Sequence, residues 1–151
     1  MNAESLIGAV MRETEAVIRQ VPELTDFVEE SLAGLQCHPE KVRDLPVASR
    51  VSGLQSATSA QTANLVRAIA DAAPVLRWQQ SYSEAEVGAH YLANYGWFNL
   101  VSPDGPFVSE ALRVSVGYWE GGLTYPQHAH EPEEIYIVLA GGAIFHSEGR
   151  K

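Results

Sequence analysis

The chain has 151 residues, of which 46% are apolar, which is enough for one domain with a hydrophobic core. Ten Lys and Arg against 19 Asp and Glu give a formal net charge of −9, which argues against nucleic-acid or anionic-membrane partners, since both need clustered cations. The single cysteine, Cys37, excludes an intrachain disulfide. No apolar run reaches the roughly 18 residues of a membrane span, and no basic segment followed by an apolar one precedes the first predicted helix. We therefore expect a cytoplasmic protein.

Residues 1–96 are predicted to form a helical region. Apolar residues at helical spacing predict a first helix around Leu6 to Ile18. Pro22 suits the first turn of a second helix, which would carry an apolar stripe and end at Gly34.

The rest of this region predicts two more helices after an irregular connection at 36–55 that holds at most a short helix. The third helix is expected over about 56–72, and Pro74 would stop it. The S-x-x-E sequence at 83–86 is a capping box for a short fourth helix, which Gly96 would end.

From residue 97 the pattern changes to that of strands. Residues 97–101 form a short apolar run, and 102–106 have the composition of a turn. Apolar and polar residues alternate over 112–119 and again over 134–139, and a further strand is expected to begin at 143–146. Short strands separated by glycine turns predict an antiparallel sandwich or barrel, so we expect an α+β fold.

Two histidines and a glutamate form a candidate metal site. His128 and His130 are two residues apart, so in a strand both would project from the same face, and Glu134 follows four residues later. Two imidazoles and one carboxylate suit one divalent transition metal ion, with Fe, Zn, Mn and Ni as candidates. On spacing alone, two solvent-facing histidines beside an acidic loop remain an alternative. With Gly122 and Gly141 the pattern becomes G-x5-H-x-H-x3-E-x6-G, which resembles the first motif of the cupin superfamily at every position.

The stretch from about Trp78 resembles the cupin dimethylsulfoniopropionate (DMSP) lyases of the DddQ and DddL type, through VGAHYLANYGWFNLVSPDGPF and GYWEGGLTYPQHAHEPEEIYIVLAGGA. The resemblance implies an N-terminal helical bundle at 1–96 that packs on a cupin barrel, a double-stranded β-helix of jelly-roll type, whose first part is 97–151. It also implies a fourth ligand histidine from a second cupin motif. The sequence ends at Lys151 before such a motif, so we expect a truncated chain with a barrel that is incomplete at its C-terminus, and the truncation puts its activity in doubt.

The resemblance also implies the chemistry, a metal-dependent β-elimination that cleaves DMSP to dimethyl sulfide and acrylate. It implies two catalytic residues: Tyr125 as the base, and Tyr136 at the metal, where it would bind the ion or help in proton abstraction. DMSP is a small zwitterion whose sulfonium is best held by aromatic faces. The candidate substrate-binding residues, for which core packing is the alternative, are Trp97, Phe98, Tyr118 and Trp119.

Two other functions remain open. Another metal-dependent cupin enzyme, a dioxygenase or an isomerase, would use the same three ligands. A non-catalytic cupin that binds a small molecule would show binding without turnover. For any of these functions, the helical region could provide a homodimer contact.

Overall fold

The computed structural model describes residues 1–29, 31–56, 58–128 and 131–146. The described helices all precede the strands, and the strands form one sheet in the order β2–β1–β3. The molecule is therefore a mixed α/β structure with a small three-stranded sheet. Its elements are α1 (Ala3–Gln20), α2 (Pro22–Phe27), α3 (Pro46–Ser52), α4 (Ala63–Ala72), a 3-10 turn (Ala73–Val75), α5 (Glu84–Val87), α6 (Ala89–Ala93), β1 (Tyr95–Ser102), β2 (Phe107–Val108) and β3 (Val114–Trp119).

The sheet is built around β1. This strand pairs antiparallel with β3, from Tyr95 opposite Trp119 to Val101 opposite Val114, with an irregularity in register between Asn99 and Val101. It also pairs parallel with β2 over two residue pairs. Because successive side chains point to opposite faces of a strand, Tyr95 and Trp97 share one face of β1, and Gly96 and Phe98 share the other.

The helices cover the Gly96 and Phe98 face of the sheet. The Phe98 ring packs edge-on against Trp78, with 5.2 Å between the ring centroids. A Cβ at Gly96 would lie 2.6 Å from Cγ1 of Val47 on α3, so a side chain there would separate helix and strand. On the other face, the β3 side chains of Ser115 and Trp119 are exposed. The core shared by helices and sheet includes Ile7, Val10, Val47, Val51, Leu65, Ile69, Trp78, Phe98 and Leu100.

The first helix is confirmed as α1, and the predicted second helix is shorter than expected. It ends at Phe27, and residues 32–35 form a turn closed by a hydrogen bond from Leu35 N to Leu32 O at 3.3 Å. Gly34 has φ +89° and belongs to this turn rather than ending a helix. Leu32 and Leu35 still pack on the core, so their helical spacing reflected burial alone.

The third and fourth helices also differ from the prediction at their boundaries. The third begins at Ala63 rather than near Ser56, because the side chains and backbone of Ser59 and Thr62 bond to one another in a turn before it. The predicted capping box is confirmed at α5, but Gly88, with φ +85°, divides the fourth helix into α5 and α6. Gly96 lies inside β1. Within the described ranges, no helix has the length and apolar character needed to span a membrane.

The strands predicted near 97–101 and 112–119 are confirmed as β1 and β3, but the two later ones are wrong. The structure has no strand at 134–139 or 143–146. No other strand lies beside these segments in the described part of the chain, so their backbones form no ladder. An isolated bridge from Thr58 to Ala140 and a hydrogen bond from Thr62 Oγ1 to Leu139 O at 2.8 Å tie this segment to the turn before α4.

Candidate active site

Five aromatic side chains meet on the open face of the sheet, and we call them the aromatic cluster. The Tyr125 ring lies at its edge, 4.9 Å from the Trp119 ring and 6.3 Å from the Tyr95 ring between centroids. On its other side, Tyr125 packs edge-on against the imidazole of His128 at 4.6 Å. The structure thus brings the predicted base next to a predicted metal ligand. The aromatic cluster consists of Tyr82, Tyr91, Tyr95, Trp119 and Tyr125.

The sheet register positions two members of the cluster. Tyr95 and Trp119 are direct partners across β1 and β3, and their ring centroids are 5.6 Å apart. The Trp119 ring lies over Gly117, where a Cβ would come within 2.4 Å of its Cη2 atom. A glycine at this position therefore leaves the room that the indole occupies. Tyr91 joins from α6, and its ring is 5.1 Å from Tyr95.

The two phenols at the base of the cluster, those of Tyr91 and Tyr95, are buried. Tyr95 is 0% and Tyr91 7% exposed, and neither hydroxyl has a hydrogen-bond partner among the described residues. Burial raises the pKa of Tyr91 to about 12 and also raises the pKa of Tyr95. Burial likewise raises the pKa of Tyr125 above its usual range. Without a nearby cation, these three side chains are neutral phenols at neutral pH.

The predicted metal ligands are described only in part. His128 Nδ1 lies 3.1 Å from the Pro126 carbonyl oxygen. Tyr136 donates a hydrogen bond to Glu134 Oε2 at 2.6 Å, and this bond raises the pKa of Tyr136 to about 12. His130 lies outside the described residues. Among the residues that the structure does describe, no three His, Cys, Asp or Glu side chains converge on one point, so the ligand trio stays a prediction.

The four predicted substrate-binding residues lie on two different faces of the sheet. Trp119 belongs to the aromatic cluster, and Trp97 shares its face and donates from Nε1 to Ser81 Oγ at 2.9 Å. Phe98 lies on the opposite face, 1% exposed and packed on Trp78.

Tyr118 also lies on the face away from the cluster, where it lines a surface cavity of about 610 Å³. The same cavity is lined by Arg50 and Glu120, which form an ion pair at 3.2 Å. The structure therefore brings two of the four candidates, Trp97 and Trp119, to the face that carries Tyr125.

Three members of the cluster, Tyr82, Tyr91 and Tyr95, were not among the site residues predicted from the sequence. A signal was present, because three of the six tyrosines fall within the short stretch 82–95. Tyr91 and Tyr95 are also four residues apart, a spacing that places both on one side of a helical turn. This stretch lies in the predicted helical region, and no local pattern indicated that it would meet Tyr125.

Comparisons with known proteins point to one family. The profile of the dimethylsulfoniopropionate lyase family matches residues 18–151. Dimethylsulfoniopropionate lyase DddQ of Ruegeria pomeroyi is 32% identical over 142 residues, which are 93% of this chain and 69% of that protein. Putative dimethylsulfoniopropionate lyase DddL of Cereibacter sphaeroides is 34% identical over 76 residues, 50% of this chain and 32% of that protein.

Solved structures agree with the sequence comparison. The crystal structure of DMSP lyase DddQ from Ruegeria pomeroyi DSS-3 matches with a TM-score of 0.74 and 25% identity, over 82% of this chain and 62% of that one. A chain from the crystal structures of the DMSP lyases RdDddP and RnDddQII matches with a TM-score of 0.73 and 31% identity, over 78% and 60%. The chain thus spans less than two thirds of the length of these solved relatives. The sequence and structure matches together show that the chain belongs to the dimethylsulfoniopropionate lyase family.

Proposed function

We propose that this chain is a metal-dependent lyase that cleaves DMSP to dimethyl sulfide and acrylate by β-elimination. The observation that carries the proposal is the position of Tyr125, which lies in the aromatic cluster and against the His128 ring at 4.6 Å. Membership of the family supports the substrate, since the relatives are named as DMSP lyases.

His128, His130 and Glu134 would hold one divalent transition metal ion, Fe, Zn, Mn or Ni. Two observations fit this role. A hydrogen bond from His128 Nδ1–H to the Pro126 carbonyl at 3.1 Å makes Nε2 the basic nitrogen of the ring. Tyr136 orients the Glu134 carboxylate through their 2.6 Å hydrogen bond. When bound, the ion supplies a Lewis acid for the substrate carboxylate, on which charge builds during proton removal.

Tyr125 would act as the base. Its phenolate takes a proton from the carbon next to the substrate carboxylate, and the electrons of that C–H bond form the new C=C bond of acrylate. The C–S bond breaks, and its electron pair leaves on sulfur as neutral dimethyl sulfide, so no general acid is needed. Burial raises the pKa of Tyr125, and a cation held at His128 would favour its phenolate form.

The open face of the sheet would hold the sulfonium end of the substrate. A sulfonium offers no N–H or O–H donor, and its positive charge is attracted to the faces of aromatic rings. Trp119 lies beside Tyr125 and is 37% exposed. A substrate near the proposed base could therefore contact the Trp119 ring. Trp97 shares that face of the sheet. We assign the Trp97 and Trp119 rings to the surface that contacts the sulfonium group. Phe98 belongs to the hydrophobic core.

Direct assay of the purified protein tests this function. We expect incubation with DMSP, after loading with each candidate metal, to yield equal amounts of dimethyl sulfide by gas chromatography and acrylate by NMR. His128→Ala should lower both the bound metal, measured by elemental analysis, and the product yield. His38→Ala, which removes an exposed histidine from a connecting segment, is the matched control and should change neither. A protein that yields no acrylate with any of the metals, or a His128→Ala variant with unchanged metal content, would contradict the proposal.

A further inference from the structure

We propose that Tyr82, a residue of the helical region, positions Tyr125 for proton transfer. The inference rests on the proposed function, in which Tyr125 is the base. The Tyr82 ring lies 6.2 Å from the Tyr125 ring at an interplanar angle of 80°, an edge-to-face contact. It contacts Tyr91 at 6.2 Å and Tyr95 at 6.1 Å as well. Tyr82 thus connects the base to both buried phenols of the cluster.

The chain around Tyr82 is firmly anchored. Before it, Ser81 accepts a hydrogen bond from Trp97 Nε1 at 2.9 Å, and Gln80 donates from Nε2 to the Tyr95 carbonyl at 2.9 Å. After it, the Ser83 amide donates to Glu86 Oε2 at 2.7 Å within the capping box of α5. The Tyr82 ring is therefore attached to a backbone that β1 and α5 fix on both sides.

Tyr125 lies in a segment without regular secondary structure. Residues 123–128 belong to neither a helix nor a strand, so the contacts of its ring largely determine where the Tyr125 hydroxyl lies. Trp119 and Tyr82 both meet that ring at steep angles, 61° and 80°. A base must stay within hydrogen-bond reach of the proton that it removes, and a displacement of about 1 Å can cost as much as about a hundredfold in rate. Losing the Tyr82 contact should therefore reduce turnover more than substrate binding.

The first arm of the test is kinetic and compares Tyr82→Leu with Tyr82→Phe. If the ring is what positions Tyr125, Tyr82→Leu should lower kcat for DMSP roughly tenfold or more with KM within about twofold, and Tyr82→Phe should restore kcat. Phe27→Leu, which shortens a half-buried aromatic residue on α2, is the matched control and should leave kcat unchanged. A Tyr82→Leu enzyme with normal kcat, or a Tyr82→Phe enzyme as slow as Tyr82→Leu, would overturn the proposal.

The second arm does not depend on lyase activity, so it separates failure of this inference from failure of the proposed function. The protein is labelled with 3-fluorotyrosine, and the ¹⁹F signal of Tyr125 is identified by its loss in Tyr125→Phe. The signal should move toward the random-coil position in Tyr82→Leu and not in Phe27→Leu. An unchanged Tyr125 signal would overturn the positioning role, whatever the activity. Tyr82→Met replaces Tyr82→Leu if the latter shows no cooperative melt, and failure of both to fold would show that Tyr82 is needed for folding instead.

Discussion

At the scale of single residues, the buried hydroxyls of Tyr91 and Tyr95 are expected to reduce the stability of the fold. Tyr91 and Tyr95 place phenolic oxygens in the interior, and no described group lies in hydrogen-bonding position within 3.5 Å of either oxygen. A buried polar group without a partner costs about 1–3 kcal/mol. Phenylalanine at either position would keep the ring contacts and avoid this cost, so we expect the two hydroxyls to lower the stability of the fold.

We expect Tyr91→Phe to stabilise the protein by about 1 kcal/mol at pH 8, because it removes a buried hydroxyl and keeps the ring. The pKa of Tyr91 is raised from 10 to about 12, so the folded state favours the neutral phenol. The unfolded chain therefore ionises Tyr91 at lower pH than the folded state does. The free energy of unfolding is unaffected by this group below about pH 10 and falls as the pH rises toward about 12, by at most about 1.4 kcal/mol for each pH unit. Tyr91→Phe should therefore also lose less stability than the wild type over this range.

Urea unfolding at pH 8 and at pH 11 measures both effects. Tyr136→Phe serves as the control at pH 8, since Tyr136 is 56% exposed and the loss of its hydroxyl should give no stabilisation. If Tyr91→Phe were less stable than the wild type at pH 8, its hydroxyl would have a hydrogen-bond partner in solution.

At the scale of elements, β3 illustrates how one strand serves both the core and the site. Tyr118 faces the helices, and Trp119 faces the aromatic cluster. The indole lies across Gly117, and a Cβ there would stand 2.4 Å and 2.5 Å from two of its ring atoms. Because Gly117 has no side chain, the Trp119 ring can occupy this position in the candidate substrate site.

Gly117→Ala should displace the Trp119 ring and lower DMSP turnover severalfold. The change of environment would appear as a shift in tryptophan fluorescence. Gly121→Ala is the matched control, because a Cβ at Gly121 meets no atom within 4 Å. Equal fluorescence and turnover in both variants would show that the ring does not need this space.

Elements that depend on residues close together in the sequence could be predicted from it. The Ser83 and Glu86 capping box and the alternation along β3 depend on neighbouring residues, and both were found. The aromatic cluster depends on contacts between Tyr82 and Tyr125, which are far apart in the chain and which no local pattern reports. The alternation at 134–139 predicted a strand. A strand also needs a neighbouring strand to pair with, and the alternation of apolar and polar residues does not show whether such a neighbour is present.

In the molecule as a whole, one face of the sheet packs on the hydrophobic core and the other face carries the candidate site. One face packs against Trp78 and against Val47 of α3, and it joins an apolar core that includes residues of α1, α3 and α4. Its other face carries Tyr95, Trp97 and Trp119, with Tyr125 beside them. The helical region also sends Tyr82 and Tyr91 to this second face. The candidate site is thus assembled from both halves of the chain.

The central claim is that Tyr125 is the base, and Tyr125→Phe tests it most directly because it deletes one oxygen and keeps the ring. Acrylate release and bound metal are measured on the same sample of the metal-loaded protein. We predict that turnover falls by roughly two to four orders of magnitude while metal content stays normal. Near-normal acrylate release at normal metal occupancy would contradict the account and make Tyr136 the next candidate for the base.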